Sequence, residues 1–209
     1  MVALLGRVRR ERNGLVADTM RYYGTAYGLN YGVSLPTLRQ IARAEPLDLD
    51  FARLLWEQEV RELQLAALHI VEPEQFTADE ASRWSAGVVN SELAEEAAFA
   101  LLRRTPHLLE IAAAWMHPET PFLAYAALLG AARSTLLTAA WMQPTLDLTR
   151  NTTGAYARCV AQGAVALLEA LGRQDETSRQ AILHAVGPLA SSDKPEERFL
   201  CEELRWRLT

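Results

Sequence analysis

The chain has 209 residues, of which 50% are hydrophobic and 22% are charged, and its formal net charge is −5. This composition is typical of a globular protein with a sizeable core and excludes an intrinsically disordered chain. The negative net charge argues against a large non-specific footprint on nucleic acid, although it does not exclude a local basic groove.

The chain is predicted to be almost entirely helical, because strong helix formers dominate and no segment alternates as a strand does. Ser34 is expected to cap a helix that carries Pro36 in its first turn, where a proline costs least. Thr77 and Glu80 fit a capping box, in which each side chain satisfies the other residue's backbone N–H. Further helix starts are predicted at Thr105, Thr120, Ser134 and Asp193, and helix ends at Gly172, at Gly187 and in the turn from His117 to Pro121.

Three segments, at 54–68, 113–128 and 139–149, are similar to one another. Each is predicted to end a helix on a tryptophan, and these tryptophans are Trp56, Trp115 and Trp141. With about a dozen short helices, the pattern favours an all-α fold of HEAT-like or armadillo type, an α-α superhelix with a concave face. Because no linker-like segment interrupts the chain, residues 1–209 are predicted to form a single domain.

No apolar run reaches the roughly 20 residues that a transmembrane helix needs, and the first residues do not resemble a signal peptide. The two cysteines, Cys159 and Cys201, have no metal-ligand spacing and are predicted to be free thiols in a reducing compartment. The four histidines show no paired spacing either. We therefore expect a cytoplasmic protein with no membrane association, no metal and no cofactor.

The N-terminal part of the chain, over residues 9–43 and 54–77, resembles the DNA alkylation repair family of HEAT-like proteins, the AlkD-like glycosylases. The resemblance covers most of the chain as architecture and is carried by motifs over roughly residues 10–100. A Gly-Val-x-x-Pro-x-x-Arg segment is followed by a Leu-Trp-x-x-x-x-Arg-Glu segment that enters an Ala/Leu-rich helix. The matching residues are Gly32, Val33, Pro36 and Arg39, then Leu55, Trp56, Arg61 and Glu62.

This resemblance implies a concave face that binds duplex DNA by its backbone. It also implies excision of N3- or N7-alkylated purines, with a carboxylate that stabilises the cationic sugar in the transition state. The family's Trp-Asp-x-x-Asp-like segment corresponds to residues 88–98, where Glu92 replaces the tryptophan and Glu96 replaces the catalytic aspartate. The family's arginine would fall near Tyr125 and its later tryptophan within 160–167, and neither residue is present there.

Glu92 and Glu96 are therefore the candidate catalytic residues, four positions apart on one helix face. The alternative is that they only complement the positive end of a helix. Arg39 and Arg43 also share a helix face and are candidate phosphate contacts. The alternative for Arg39 is an internal ion pair with an acid such as Glu62. Arg103 and Arg104 complete the candidate nucleic-acid-binding set.

Two hypotheses follow. The first is a DNA repair protein that binds double-stranded DNA on its concave face and, if it is active, cleaves the N-glycosidic bond of alkylated purines. The second is a non-catalytic HEAT-like scaffold that binds a protein or a structured nucleic acid, since a shared fold does not carry activity with it. Convergence of the four arginines in one groove would favour DNA binding, whereas a groove of glutamates without arginines would argue against it.

Overall fold

A computed structural model describes residues 1–23 and 27–209 of the chain. Within these ranges the regular structure is helical, apart from one isolated bridge between Leu29 and Val60. Thirteen α-helices are described: α1 Val2–Arg10, α2 Gly14–Tyr22, α3 Leu35–Arg43, α4 Leu49–Trp56, α5 Arg61–Ile70, α6 Ala78–Trp84, α7 Ser91–Ala97, α8 Leu108–Trp115, α9 Pro121–Ala131, α10 Met142–Asn151, α11 Ala157–Gly172, α12 Glu176–Val186 and α13 Pro195–Leu208.

Short helical turns join several of these helices. A π-helical turn, Ala98–Leu102, directly continues α7. The 3-10 turns are Pro73–Gln75, Ser85–Gly87, Ala139–Trp141 and Gly187–Ser191. The predicted all-α fold is thus confirmed.

The α-helices form two rows. In the inner row α3, α5, α7, α9, α11 and α13 each pack against the next helix of the row. In the outer row α4, α8, α10 and α12 pack behind the inner helices, and α6 packs against α8. One continuous hydrophobic cluster runs from Leu4 in α1 to Leu208 in α13. This two-row stack is the HEAT-like superhelix that the sequence predicts, and its inner row lines the concave face.

Most predicted helix starts are close to the observed ones. The Ser34 side chain accepts a hydrogen bond from the Thr37 N–H, and Pro36 is the second residue of α3, as expected. Thr77 caps α6 by accepting from the Glu80 N–H at 3.3 Å. The capping box is only half formed, however, because the Glu80 carboxylate binds Arg53 instead of the Thr77 backbone.

Three local predictions are wrong. Ser134 does not start a helix, since its hydroxyl accepts from the Leu136 N–H in a turn. The helix expected at Thr105 begins at Leu108, because the Thr105 hydroxyl instead donates to the Phe76 carbonyl and accepts from the His107 N–H. Trp141 ends a 3-10 turn that leads into α10 rather than ending an α-helix. The similarity between segments is therefore clearer for the first two tryptophans than for the third.

Gly32, a residue of the first motif, occupies a position that only glycine fits. Its φ of +71° lies in the left-handed region, and a Cβ there would lie 2.0 Å from the Asn13 carbonyl oxygen. The chain therefore passes close to the start of α2 just before it enters α3.

No helix in the described ranges is both long and apolar enough to cross a membrane. Cys159 and Cys201 are free thiols, as predicted.

Candidate nucleic-acid interface

The candidate site is organised by α7 and the π-helical turn that continues it. Asn90 caps α7 through its side chain, which accepts from the Leu93 N–H at 3.0 Å. The π-helical turn adds a residue to the helical repeat and is frequent at functional sites. It ends at Leu102 and so places Arg103 and Arg104 at the end of the helical segment, on the concave face.

Glu96 is the most enclosed carboxylate of α7, with 1% of its surface exposed. Arg39 binds it in a two-pronged contact, from Nε to Oε1 at 2.9 Å and from Nη2 to Oε2 at 2.6 Å. His69 Nε2 lies 2.5 Å from Oε1 of the same carboxylate. Burial by itself would raise the pKa of Glu96, but the hydrogen bonds from His69 and Arg39 outweigh it and lower the pKa to about 2. Glu96 is thus a buried, ionised group held by two basic side chains.

Glu92, one helical turn earlier, faces a different network. Arg61 donates to both of its oxygens, at 2.8 and 2.5 Å, and the Tyr27 hydroxyl donates to Oε2 at 2.7 Å. Burial and the Glu92 charge raise the pKa of Tyr27, so this hydroxyl stays protonated. Arg61 also binds Glu62, whose carboxylate accepts from the backbone N–H groups of Tyr31 and Val33. This buried network ties the segment before α3 to α5 and α7.

A cavity of ≈ 700 Å³ lies on the inner face over Glu96, and we call it the N-terminal cavity. Side chains from α3, α5 and α7 and from the segments that follow α3, α7 and α9 surround it. Its lining residues are Arg39, Arg43, Glu45, Leu47, His69, Glu96, Phe99, Ala100, Arg103, Arg104 and Arg133. All four arginines that the sequence singles out are therefore brought together with Glu96, whereas Glu92 lies outside the cavity lining.

The arginines of this cavity are oriented by local contacts. Arg103 Nε donates to the Phe99 carbonyl at 2.7 Å, and Arg104 Nε donates to the Ala100 carbonyl at 2.8 Å. These bonds satisfy carbonyls at the end of the π-helical turn and leave the terminal guanidinium nitrogens available. Arg133, at the end of α9, stacks on the Phe99 ring with its guanidinium carbon 4.5 Å from the ring centroid.

The N-terminal cavity has an excess of positive charge. Five arginines face two carboxylates, and those carboxylates already have partners, since Glu45 is paired with Arg7 and Glu96 with Arg39. Within the described ranges, Arg43, Arg103, Arg104 and Arg133 have no ion pair with a carboxylate. Burial lowers the pKa of Arg104, and the neighbouring charges of Arg103 and Arg43 lower it further. Guanidinium groups that repel one another in this way favour an anion between them.

Three residues of this region were not among the candidate site residues, although Arg61 belongs to the second sequence motif. His69 and Arg133 line the cavity, and Arg61 is the centre of the buried network below it. The signal for Arg61 was the charged Arg-Glu pair of that motif, which forms the first two residues of the otherwise Ala/Leu-rich buried helix α5. Arg39 does make an internal ion pair, the alternative considered for it, but its partner is Glu96 rather than Glu62, which is occupied by Arg61 and two backbone N–H groups.

Among the residues that the structure describes, no group of three or more His, Cys, Asp or Glu residues is arranged to hold a metal ion. The N-terminal cavity presents guanidinium groups, one imidazole and two carboxylates, of which Glu96 is the enclosed one. Guanidinium groups bind two phosphate oxygens at once in a bidentate geometry and stay positively charged.

The two-row fold and this cavity define a HEAT-like helical repeat protein with an arginine-rich concave face. The family model described as DNA alkylation repair enzyme matches residues 7–194. The chain belongs to this family.

A solved structure is similar in fold to the whole chain. It comes from a study described as "A new family of proteins related to the HEAT-like repeat DNA glycosylases with affinity for branched DNA structures". The similarity has a TM-score of 0.75 at 13% sequence identity and covers 99% of this chain and 94% of the other. A search of curated proteins gave no match.

Proposed function

We propose that this protein binds DNA through the phosphate backbone, which enters the N-terminal cavity and contacts Arg43, Arg103, Arg104 and Arg133. The observation that carries the proposal is the convergence of these four side chains, without carboxylate partners in the described ranges, on one cavity of the concave face. Phosphate contacts by arginine supply most of the affinity of a protein that binds DNA without reading its bases.

The charge distribution supports a confined site rather than a long basic track. The whole chain carries −5, whereas the cavity has five arginines and two carboxylates and hence an excess of three positive charges. A positively charged cleft attracts a polyanion, and the negatively charged surface around the cleft repels it. The protein is expected to bind where phosphates are crowded, and to bind long stretches of duplex weakly.

Branched DNA is the form that fits this confined site best. At a branch point the backbones of several strands approach one another, so a compact arginine cluster contacts more phosphates there than on a linear duplex. The structure that is similar in fold is described as having affinity for branched DNA, which is consistent with this preference. We therefore propose branched DNA as the preferred substrate and linear duplex as a weaker one.

Glycosidic cleavage is the second candidate, and one observation favours it: the carboxylate of Glu96 is ionised and lines the same cavity as the arginines. Such a group could stabilise a cationic sugar. Against this, Glu96 is enclosed, and both of its oxygens are bound by Arg39 and one also by His69. We propose that Glu96 positions Arg39 for DNA rather than contacting the sugar, so that binding does not lead to cleavage.

The binding proposal is tested by titrating labelled DNA at several salt concentrations. Each phosphate contact contributes about 0.9 to the slope of log K against log salt concentration. Arg43→Ala or Arg103→Ala should reduce that slope by about one contact and weaken binding several-fold. Arg150→Ala is the matched control, since Arg150 is an exposed arginine paired with Asp147 on the outer row. No measurable binding, or equal affinity for all three variants, would overturn the proposal.

The catalytic alternative is tested separately by the release of 7-methylguanine from alkylated duplex DNA. We expect no release above background from the wild-type protein. Release that is lost in Glu96→Gln, while DNA affinity stays the same, would instead establish Glu96 as a catalytic residue.

A further inference from the structure

A second cavity lies next to the N-terminal cavity on the inner face. It has a volume of ≈ 670 Å³, and residues at the end of α9 and on α11 and α13 surround it. We call it the C-terminal cavity. It is lined by Ala132, Arg133, Gln162, Val165, Ala166, Glu169, Ala170, Arg173, Phe199, Glu203 and Arg207. No motif in the sequence pointed to this site.

The two cavities meet at Arg133, which lines both. Its guanidinium is held in place by stacking on Phe99 of the N-terminal cavity and by a contact of Nη1 with the Leu129 carbonyl. The two cavities together include residues on or directly after every helix of the inner row from α3 to α13. The concave face therefore contains one groove in two parts, with an arginine at the junction.

The arginines of the C-terminal cavity have carboxylate partners, in contrast to those of the N-terminal cavity. Arg173 binds Glu169 at 2.6 Å, and Arg207 binds Glu169 at 3.0 Å and Glu203 at 2.8 Å. The arginines of these pairs reach solvent, with the Arg173 side chain 66% and the Arg207 side chain 36% exposed, whereas Glu203 is 32% and Glu169 15% exposed. Exposed ion pairs contribute little to stability and are readily exchanged for another anion.

We propose that the C-terminal cavity is a second DNA-backbone site, in which phosphates displace Glu169 and Glu203 from Arg173 and Arg207. This inference rests on the proposed DNA binding at the N-terminal cavity. A backbone segment anchored there has a high effective concentration at the adjoining cavity, so a weak second site is enough to hold it. Glu169 and Glu203 compete with phosphate for Arg173 and Arg207 and thereby limit the affinity of the groove for DNA.

If phosphate and carboxylate compete for the same arginines, removing a carboxylate should strengthen DNA binding. Glu169→Gln and Glu203→Gln should each tighten binding to branched DNA roughly threefold at low salt, since the arginines lose a competing anion. Arg173→Ala and Arg207→Ala should weaken binding and lower the salt slope by about 0.9 for each phosphate that is no longer bound. Titrations with branched and linear DNA of equal length measure these changes, and thermal melting verifies that each variant is folded.

Two controls separate this effect from a general change in charge. Asp147→Asn removes one negative charge from another exposed arginine pair, on the outer row, and should leave the affinity unchanged. In a background of Arg173→Ala and Arg207→Ala, the gain from Glu169→Gln should disappear, because the residues through which Glu169 acts are gone.

The possible failures are distinguishable. If the wild-type protein binds no DNA, or if Arg43→Ala and Arg103→Ala have no effect, the proposed function is wrong. If those two variants weaken binding while Glu169→Gln has no more effect than Asp147→Asn, DNA binding at the N-terminal cavity is supported and the proposed second site is rejected. The second site is also wrong if the gain from Glu169→Gln persists without Arg173 and Arg207.

Discussion

The two halves of the inner row use ion pairs in opposite ways. In the N-terminal half two carboxylates are fully buried: Glu62 is 0% and Glu96 is 1% exposed, and each accepts several hydrogen bonds. In the C-terminal half Glu169 and Glu203 pair with arginines at the surface of the groove. Both halves contain Arg–Glu contacts of similar length, so distance alone does not distinguish them.

Burial decides what these pairs do. A buried charge that loses its partner cannot recover its hydration, and so it fixes the partner in one place. An exposed charge exchanges its partner for water or another ion at little cost. The N-terminal carboxylates therefore hold the fold and position Arg39, whereas the C-terminal carboxylates leave their arginines available for exchange. The following predictions test this contrast.

The largest effect is expected for Arg61→Ala, in the buried N-terminal network. Arg61 donates to Glu92, Glu62 and the Val33 carbonyl, and its removal leaves Glu62 without a charged partner in the core. Removing one member of a buried ion pair costs about 3–5 kcal/mol of unfolding free energy. Urea denaturation measures this loss. Arg61→Lys keeps the charge but not the planar guanidinium group, so its unfolding free energy should lie between those of wild type and Arg61→Ala.

Arg150→Ala is the control for this experiment. Arg150 makes one exposed ion pair, with Asp147, so the substitution should lower the unfolding free energy by less than about 1 kcal/mol. Equal losses for Arg61→Ala and Arg150→Ala would contradict the contrast between buried and exposed pairs.

An intermediate effect is expected for Glu96→Gln, with a characteristic pH dependence. The folded-state pKa of Glu96 is about 2, below its ordinary value near 4.5. A carboxylate with a lowered pKa contributes stability that is fully present above its unfolded pKa and is lost as the pH falls towards the folded value. Converted at 1.36 kcal/mol per pKa unit, this contribution is roughly 3 kcal/mol at neutral pH.

The difference in unfolding free energy between wild type and Glu96→Gln should therefore shrink as the pH falls from about 4.5 to about 2. Denaturation at a series of pH values measures this difference. Glu119→Gln, at an exposed position, should show no such trend. A difference that does not change with pH would mean that the Glu96 charge is not what Arg39 and His69 stabilise.

Part of this organisation could be predicted from the sequence. Helix formers, capping residues and the Trp56 and Trp115 segments were enough for the helical superhelix, because local propensity and packing point to the same structure. The structure also brings the four candidate arginines into one cavity, and for Arg39 and Arg43 the helix spacing was enough to place them on one face.

The partners of these residues could not be predicted in the same way. Arg39 and Glu96 are 57 positions apart, and His69 reaches the same carboxylate from a third helix. From the sequence alone, Glu62 and Glu96 could not be distinguished as ion-pair partners of Arg39. The stacking of α3, α5 and α7 brings Arg39 to Glu96, whereas Glu62 is occupied by its neighbour Arg61 and by two backbone N–H groups. The C-terminal cavity likewise depends on how α9, α11 and α13 pack, which no local pattern encodes.

The smallest effect is expected for Arg173→Ala, in the exposed C-terminal half. Glu169 keeps its contact with Arg207 when Arg173 is removed, so no buried charge is left unpaired. The loss of unfolding free energy should be about 0.2–1 kcal/mol and should decrease further as salt is added, because exposed pairs are screened. Denaturation at low and high ionic strength measures both values. A loss comparable to that of Arg61→Ala would show that this pair is part of the folded framework, and such a pair could not release its arginine to a phosphate.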